Sequence, residues 1–514
     1  MNKKQNIEFL LLIALGMLTS LSLPPFNFLI INFFTFTLFF SFLTKKSKLN
    51  INIKYYFFYG WLFGFGYFVT NLYWISISLT FDENFKFLIP IAIFLIPAFL
   101  AIFYGFISLI FITLKPKRLV SSFLFFTLIF GVLEFIRGSI LTGFPWNLIA
   151  YSFSNHLNIL SITSIIGTYG FNLFCISLFT SPAIFIFREN NKDLMVLAFF
   201  LISPFFIYSY GVNYEKKFNT STKKIYDYKI RAIGSNISLD RFYSNKDPVL
   251  VIKDLIKISK PNPNEKMIFV WPEGILPNIY QNELIEYQWL FKNHFNDNHL
   301  IVLGISNKFI DNGSIDYYNS FSVYDNNLNL LKYYNKIDLV PFGEFLPFEN
   351  ILGSIGLKTI TNNYQSFSKG KKRDVIEINK KNFSFKILPL ICYEMIYSGK
   401  IFDSFDFDLI INISEDGWFG QSIGPKQHFA HSIFRAVESG KYILRSANNG
   451  VAALINPLGA VEKKVNFGIS GYVDFNEKKI IQPTVFSKYG NKIFGLLILL
   501  YIFLIFSFIR TKNE

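Results

Sequence analysis

Cysteine is nearly missing from this chain: of 514 residues two are Cys, and His and Met number five each. Two cysteines exclude a disulfide scaffold and a four-cysteine zinc site. Histidine offers no metal site either, because His428 and His431 lie three apart on an expected helix, 425–440, with no third ligand at a zinc-motif spacing. There is no Gly-rich phosphate loop and no dinucleotide fingerprint, so no cofactor is expected. Charge is also scarce, at 17% of residues, which excludes a disordered chain. The net charge of +15 does not signal nucleic acid, since no basic stripe interleaves with stacking aromatics.

Apolar residues fill the space left by charge, at 51% of the chain with 64 Phe, and this argues against an ordinary soluble enzyme. A helix needs roughly 20 apolar residues to cross a bilayer. Runs of that kind fall near 7–24, 27–44, 56–79, 88–113, 119–139, 159–187 and 194–210, and another near 493–509. The first is not read as a signal peptide, because Leu23-Pro24-Pro25-Phe26 is no small-residue cleavage site and a second apolar run follows at once. With the N-terminus in the cytoplasm, Lys45, Lys46, Lys48, Lys115, Lys117, Arg118, Arg188, Lys192, Arg510 and Lys512 all fall on cytoplasmic loops, as the positive-inside bias requires. Residues 1–210 are therefore expected to be a membrane domain of seven helices, and 491–514 an eighth helix with a cytoplasmic tail. Residues 211–490 then lie on the outer face.

That outer segment carries 34 basic and 28 acidic residues, so most of the charge excess sits on the flanks. Short β-branched and aromatic runs at 229–233, 267–271, 300–305, 385–392, 408–414 and 450–455 alternate with helical or loop stretches, the pattern of an α/β domain. Cys175 falls in the sixth span, which leaves Cys392 as the one cysteine of the outer domain. Such a residue is either a small buried hydrophobe or a thiol kept for its reactivity. Cys392 closes an apolar run and precedes Tyr393-Glu394, while Glu273 closes the run through Trp271-Pro272. Two strands would thus deliver a thiol and a carboxylate to one sheet edge, although for Glu273 alone a solvated loop carboxylate is the better reading. Lys336 and Glu344 flank the apolar, turn-forming segment Ile337-Asp338-Leu339-Val340-Pro341-Phe342-Gly343. A lysine embedded there is placed to stabilise an oxyanion and to lower the pKa of a nearby thiol.

Trp271-Pro272-Glu273, Lys336 through Val340-Pro341-Phe342-Gly343-Glu344, and Cys392-Tyr393-Glu394, in that order, resemble the Glu-Lys-Cys triad of the nitrilase (carbon-nitrogen hydrolase) superfamily. With seven spans before and one after, the chain resembles its membrane-embedded branch, the apolipoprotein N-acyltransferases. Asp416-Gly417-Trp418-Phe419-Gly420, Gly424-Pro425-x-Gln427-His428, Arg435-Ala436-x-Glu438, Arg445-Ser446-x-Asn448-Asn449-Gly450, Glu134-x-x-Arg137 and Thr142-Gly143-Phe144-Pro145-Trp146 extend the likeness. One departure is Glu415, where Asn is expected before the Asp.

The resemblance implies a periplasmic αββα sandwich at 211–490 in the bacterial cytoplasmic (inner) membrane. It implies acyl transfer from a membrane phospholipid to the α-amino group of a diacylated apolipoprotein, through a Cys392 thioester. Glu273 would be the general base, Lys336 the oxyanion stabiliser and Cys392 the nucleophile, with Glu344, Tyr393 and Glu394 in support. Trp271 and Trp418 are candidates for substrate contact. Glu134 and Arg137, at i, i+3 near the outer end of the fifth span, are either an anchoring ion pair or a headgroup site, and Trp146 reads first as interfacial belt. Apolar loops at 342–348 and 351–357 are candidates for a lid. A membrane-tethered amidase or hydrolase is the alternative enzyme reading. A transporter or receptor would place polar residues deep in several spans, where Phe, Ile and Leu predominate.

Overall fold

Each expected apolar run is helical in the computed structural model, which describes residues 3–49, 51–243, 247–311, 314–355, 359, 366–380, 383–401 and 405–510. The first two helices, Lys3–Ser20 and Ile31–Lys46, are 18 and 16 residues long. Six further helical segments are long and apolar enough to cross a membrane: Ile53–Thr80, Glu83–Leu114, Leu119–Arg137, Thr163–Phe187, Asn191–Asn219 and Lys492–Ile509. The expectation of eight spans is thus met by six on these criteria. The first helix falls short because it carries Lys3, Lys4 and Glu8, and the second because of its length. Phenylalanine is packed rather than merely abundant among these helices: Phe39 stacks on Phe63 with ring centroids 4.2 Å apart, and Phe36 meets Phe130 at 5.4 Å. Where two helices approach most closely a glycine is required, since a Cβ on Gly60 would lie 2.0 Å from the Tyr104 carbonyl oxygen.

The chain divides into two compact units, one formed by 1–80, 84–217 and 484–514, the other by 81–83 and 218–483. The second is built on twelve strands: β1 (Lys223–Ser235), β2 (Met267–Val270), β3 (His299–Asp311), β4 (Ser314–Asp325), β5 (Leu330–Asn335), β6 (Ile376–Lys380), β7 (Phe383–Ile391), β8 (Leu409–Glu415), β9 (Ile443–Asn448), β10 (Ala452–Ile455), β11 (Val461–Val465) and β12 (Gly471–Lys479). Their order is β5-β4-β3-β2-β1-β9-β8-β7-β6, with β12 on β1, β10 on β9 and β11 on β10. All six runs expected as strands lie within or overlap β1, β2, β3, β7, β8 and β10.

Strands β1, β2 and β3 are mutually parallel, as are β7, β8 and β9. The two groups join through only two residue pairs, Gly234 with Ala447 and Ser235 with Asn448. The sheet turns back on itself at this narrow seam, bringing the Tyr226 ring of β1 edge-on to Phe385 of β7 at 4.9 Å. Outside β1 and β2 lies the helix Pro248–Ser259, whose Val251, Ile252, Leu255 and Ile256 pack with Met267, Phe269 and Trp271. Strands β2, β8 and β9 are buried at every residue, as parallel strands covered on both faces should be. Because β2, β7 and β8 run the same way and β5 shares the direction of β3, all four present their carboxyl ends at one edge.

Gly304 on β3 shows how tightly the layers meet beneath that edge. A Cβ there would lie 2.5 Å from Glu273 Cα and 2.9 Å from Ile413 Cδ1 of β8. Gly304→Ala is therefore expected to cost about 1–3 kcal/mol of stability, as overpacking does, and to lower the thermal unfolding midpoint of the purified protein. An unchanged midpoint would contradict this packing.

Candidate active site

Four strand ends supply the site. Glu273 follows β2 at a turn completed by Gly274 with φ of 55°, Lys336 follows β5, Cys392 follows β7, and Glu415 ends β8. Lys336 is buried, and its Nζ donates to Glu273 Oε1 at 3.2 Å and to the Glu344 carboxylate at 2.9 Å. Asn319 of β4 bridges the same two acids, its Nδ2 donating to Glu273 Oε1 at 2.7 Å and to Glu344 Oε1 at 2.8 Å. The second oxygen of Glu273 accepts the backbone N–H of Glu415 at 2.9 Å, and that of Glu344 accepts Val340 N–H at 2.8 Å. One ammonium thus serves two buried carboxylates. Burial opposes its charge, but Glu273, Glu344 and the Cys392 sulfur hold Lys336 protonated well above the usual lysine range. Glu344 is pushed up, by burial first and by the like charge of Glu273, against the pull of Lys336.

Cys392 has φ of 46°, a left-handed conformation that costs a non-glycine residue energy and that marks nucleophile turns between strand and helix. Its neighbours hold it there. Glu394 Oε2 accepts the Ile391 N–H at 2.8 Å, and His428 Nε2 lies 3.2 Å from the Cys392 carbonyl oxygen. Glu394 Oε1 accepts from Tyr334 (2.5 Å), Ile337 N–H (2.9 Å) and Arg373 (2.7 Å), so one fully buried carboxylate ties the cysteine turn to the loop carrying Lys336. Burial would raise its pKa, but Arg373, Tyr334 and these N–H donors keep it below the ordinary glutamate value. Behind the turn, Asp416 accepts from Arg445 at 2.7 and 2.8 Å and from Ser414 at 2.7 Å, and its Oδ1 lies 2.9 Å from His428 Nδ1. The ligand atoms of Cys392, Asp416 and His428 lie within 4.8 Å of one another. Both ring nitrogens of His428 and both oxygens of Asp416 are already engaged, which makes the trio a hydrogen-bonded support.

The charge of Lys336 lowers the Cys392 pKa, as expected, yet the thiol is pushed well above its ordinary value. Burial is the largest cause, followed by the negative charge of Glu273. The expected lowering by Lys336 is therefore present but outweighed.

The remaining candidates separate. Tyr393 is buried, its ring edge-on to Tyr397 at 5.6 Å. Trp418 lies against Phe242, with centroids 4.9 Å apart, and Phe242 approaches Gly274, next to Glu273. Trp271 is not at the site: fully buried, it donates its indole N–H to Ser259 at 2.9 Å and packs on Phe291, because it continues the alternation of Met267 and Phe269 toward the helix-covered face. Within the first unit Glu134 and Arg137 pair as their spacing suggested, both buried, with the guanidinium also over the Phe68 ring. Trp146 is buried between Trp74 and Phe144, which corrects the belt reading. In the lid segments Phe342, Phe348 and Ile351 are exposed, and residues 356–357 lie outside the described residues. Asn319, Arg373 and Arg241 went unnoticed in the sequence, since none sits in a recognisable motif.

A profile of the apolipoprotein N-acyltransferase N-terminal domain matches residues 15–180, and one of carbon-nitrogen hydrolase matches 252–476. The chain is 32% identical over 485 residues to apolipoprotein N-acyltransferase of Rickettsia prowazekii (strain Madrid E), covering 93% of this chain and 94% of that protein. It is 31% identical over 481 residues to the enzyme of the same name from Rhizobium etli (strain CIAT 652), covering 90% and 89%. Among solved structures, an amidase from Nesterenkonia sp. AN1 aligns with 11% identity and a TM-score of 0.31, over 48% of this chain and 92% of that one.

The raised thiol yields a direct prediction. The rate of alkylation by a small haloacetamide, read by mass on the peptide containing Cys392, should keep rising above about pH 9. A plateau at or below the free-cysteine value, near pH 8.5, would contradict the environment described for Cys392.

Proposed function

The chain belongs to the apolipoprotein N-acyltransferase family, and from that premise we propose that it transfers an acyl chain from a membrane phospholipid to the α-amino group of the N-terminal S-diacylglyceryl-cysteine of apolipoproteins. The observation that carries this reading is the buried Glu273–Lys336–Glu344 cluster acting electrostatically on a thiol held in a strained turn. Glu273 takes the Cys392 proton as the sulfur attacks the phospholipid ester carbonyl. Lys336, with backbone N–H groups near Cys392, stabilises the tetrahedral oxyanion. The ester C–O bond then breaks, the proton passes to the departing lysophospholipid, and a thioester remains on Cys392. In the second half-reaction the apolipoprotein amine attacks the thioester, Glu273 accepts the amine proton, the amide forms and the proton returns to the sulfur. Glu344 and Asn319 hold Lys336 and Glu273 in place, and Glu394 with Tyr393 supports the cysteine turn.

In this reading the first seven helices and the last all cross the cytoplasmic membrane, and 211–490 is the catalytic domain on the periplasmic side. Both substrates carry lipid anchors, so a site at the bilayer surface meets them by diffusion in two dimensions. Water must be kept from the thioester, since hydrolysis would turn the transferase into a lipase. The exposed Phe342, Phe348 and Ile351 supply apolar surface for such a lid.

The purified protein, incubated with phospholipid labelled in its acyl chain, should acquire a covalent label removable by hydroxylamine, and Cys392→Ala should not. A diacylated lipopeptide should discharge the label onto its own N-terminus. Labelling of Cys392→Ala, or release only as free fatty acid, would overturn the reading.

A further inference from the structure

Arg241 and Glu415 form a further ion pair near the site, and both side chains are almost wholly buried. The guanidinium spans three segments. It donates to the carbonyls of Ile237 at 3.3 Å and Ser238 at 2.9 Å beyond β1, to that of Gly274 at 3.3 Å in the turn that carries Glu273, and to the carboxylate of Glu415 at the end of β8. Glu415 in turn accepts from Asn448 Nδ2 at 2.8 Å at the end of β9 and from Gly417 N–H at 2.9 Å. Asn448 closes the ring, its Oδ1 accepting from Ser235 at 2.7 Å and from Ile237 N–H at 2.9 Å. Three strand ends and the Glu273 turn are thereby locked to one another.

The lock bears on Glu273 from two sides. Arg241 holds the residue after it, through the Gly274 carbonyl, and Glu415 offers its own backbone N–H to Glu273 Oε2 at 2.9 Å. The other carboxylate oxygen is engaged by Asn319 and Lys336. A neutral side chain at 415 would fill the space without the cost of taking two charges out of water. Burial does push the Glu415 carboxyl upward, and Arg241 is the leading influence opposing it. Glu415 also stands where the family resemblance led us to expect Asn.

We propose that Arg241 and Glu415 are positioning residues for acyl transfer, a buried ion pair that fixes the Glu415 N–H and the Glu273 turn so that the Glu273 carboxylate is held toward Cys392. The proposal rests on the reading of Glu273 as general base. The charged and titratable groups around that base are Lys336, Glu344, Cys392, Arg241 and Glu415.

The test is the rate of Cys392 thioester formation from labelled phospholipid in the full-length protein and in Arg241→Met, Glu415→Gln, the double variant and Glu273→Gln. Each single variant of the pair should be slower by on the order of 10²-fold, the loss typical of a misplaced catalytic group, with the change in kcat rather than KM. The double variant, in which the whole pair is gone, should be about as slow as the slower single variant, because the two residues act through one interaction. If Arg241→Met does not fold, the isosteric Glu415→Gln carries the comparison with the double variant. A double variant at the wild-type rate, losses in the single variants that simply multiply in the double variant, or an Arg241→Met protein at the wild-type rate overturns the proposal. Wild-type rate in Glu273→Gln would instead remove the base assignment on which it rests.

Discussion

A single buried ammonium group, shared between two carboxylates, is the constraint on which the site depends. Lys336 makes ion pairs with both Glu273 and Glu344, and taking such charges out of water costs several kcal/mol per ion unless geometry and hydrogen bonds repay it. The structure meets that condition with Asn319, which bridges the two acids, and with the N–H groups of Val340 and Glu415. The partners come from separate strand ends, so the charges can be satisfied only when the sheet is correctly assembled. The same cluster sets the chemistry next to it. Burial raises the thiol of Cys392 and Glu273 raises it further, while Lys336 pulls the other way.

The topology explains why these groups meet. Parallel strands on either side of a seam two residue pairs long send Glu273, Cys392 and Glu415 to one edge, and the β3–β4–β5 meander returns Lys336 to it. Beneath the edge, Gly304 removes a side chain so that the Glu273 turn can settle on β3. Glu394 then ties the cysteine turn to the lysine loop, and the Asp416–His428–Arg445 network backs the Cys392 carbonyl. Glu394, Asp416 and Arg445 are charged side chains that each have a partner far away in sequence.

That distance decides what was legible in the sequence. The helices could be read because lipid-facing helices must be apolar throughout, and β2, β7 and β8 could be read because strands buried on both faces are runs of Ile, Leu, Val and Phe. Strand β9 escaped notice because Arg445, Ser446 and Asn448 look solvent-exposed, yet all three are buried. Ser446, for example, donates to the carbonyls of Ile233 and Val270. Asn319, Arg241 and Arg373 were invisible for the same reason, since a polar residue's burial depends on partners that spacing does not reveal. Trp271 was misassigned by its proximity to Glu273, although the period-two alternation with Met267 and Phe269 already pointed it into the core. Trp146 was misplaced because its covering neighbours include Trp74, more than seventy residues earlier. That Glu273, Lys336 and Cys392 lie at strand ends on one edge could be read from family resemblance and strand-end position, whereas the direction of the Cys392 shift required the geometry of burial.

In the proposed mechanism the positive charge of Lys336, held between Glu273 and Glu344, stabilises the oxyanion that forms as Glu273 takes the Cys392 proton. This role is tested most directly by the single-turnover rate of acyl transfer from phospholipid to Cys392 in folded Lys336→Met protein. Loss of the charge should slow the step by about 10²–10³-fold, the scale of removing one preorganised oxyanion donor. Acylation of Cys392 at the wild-type rate would contradict the account.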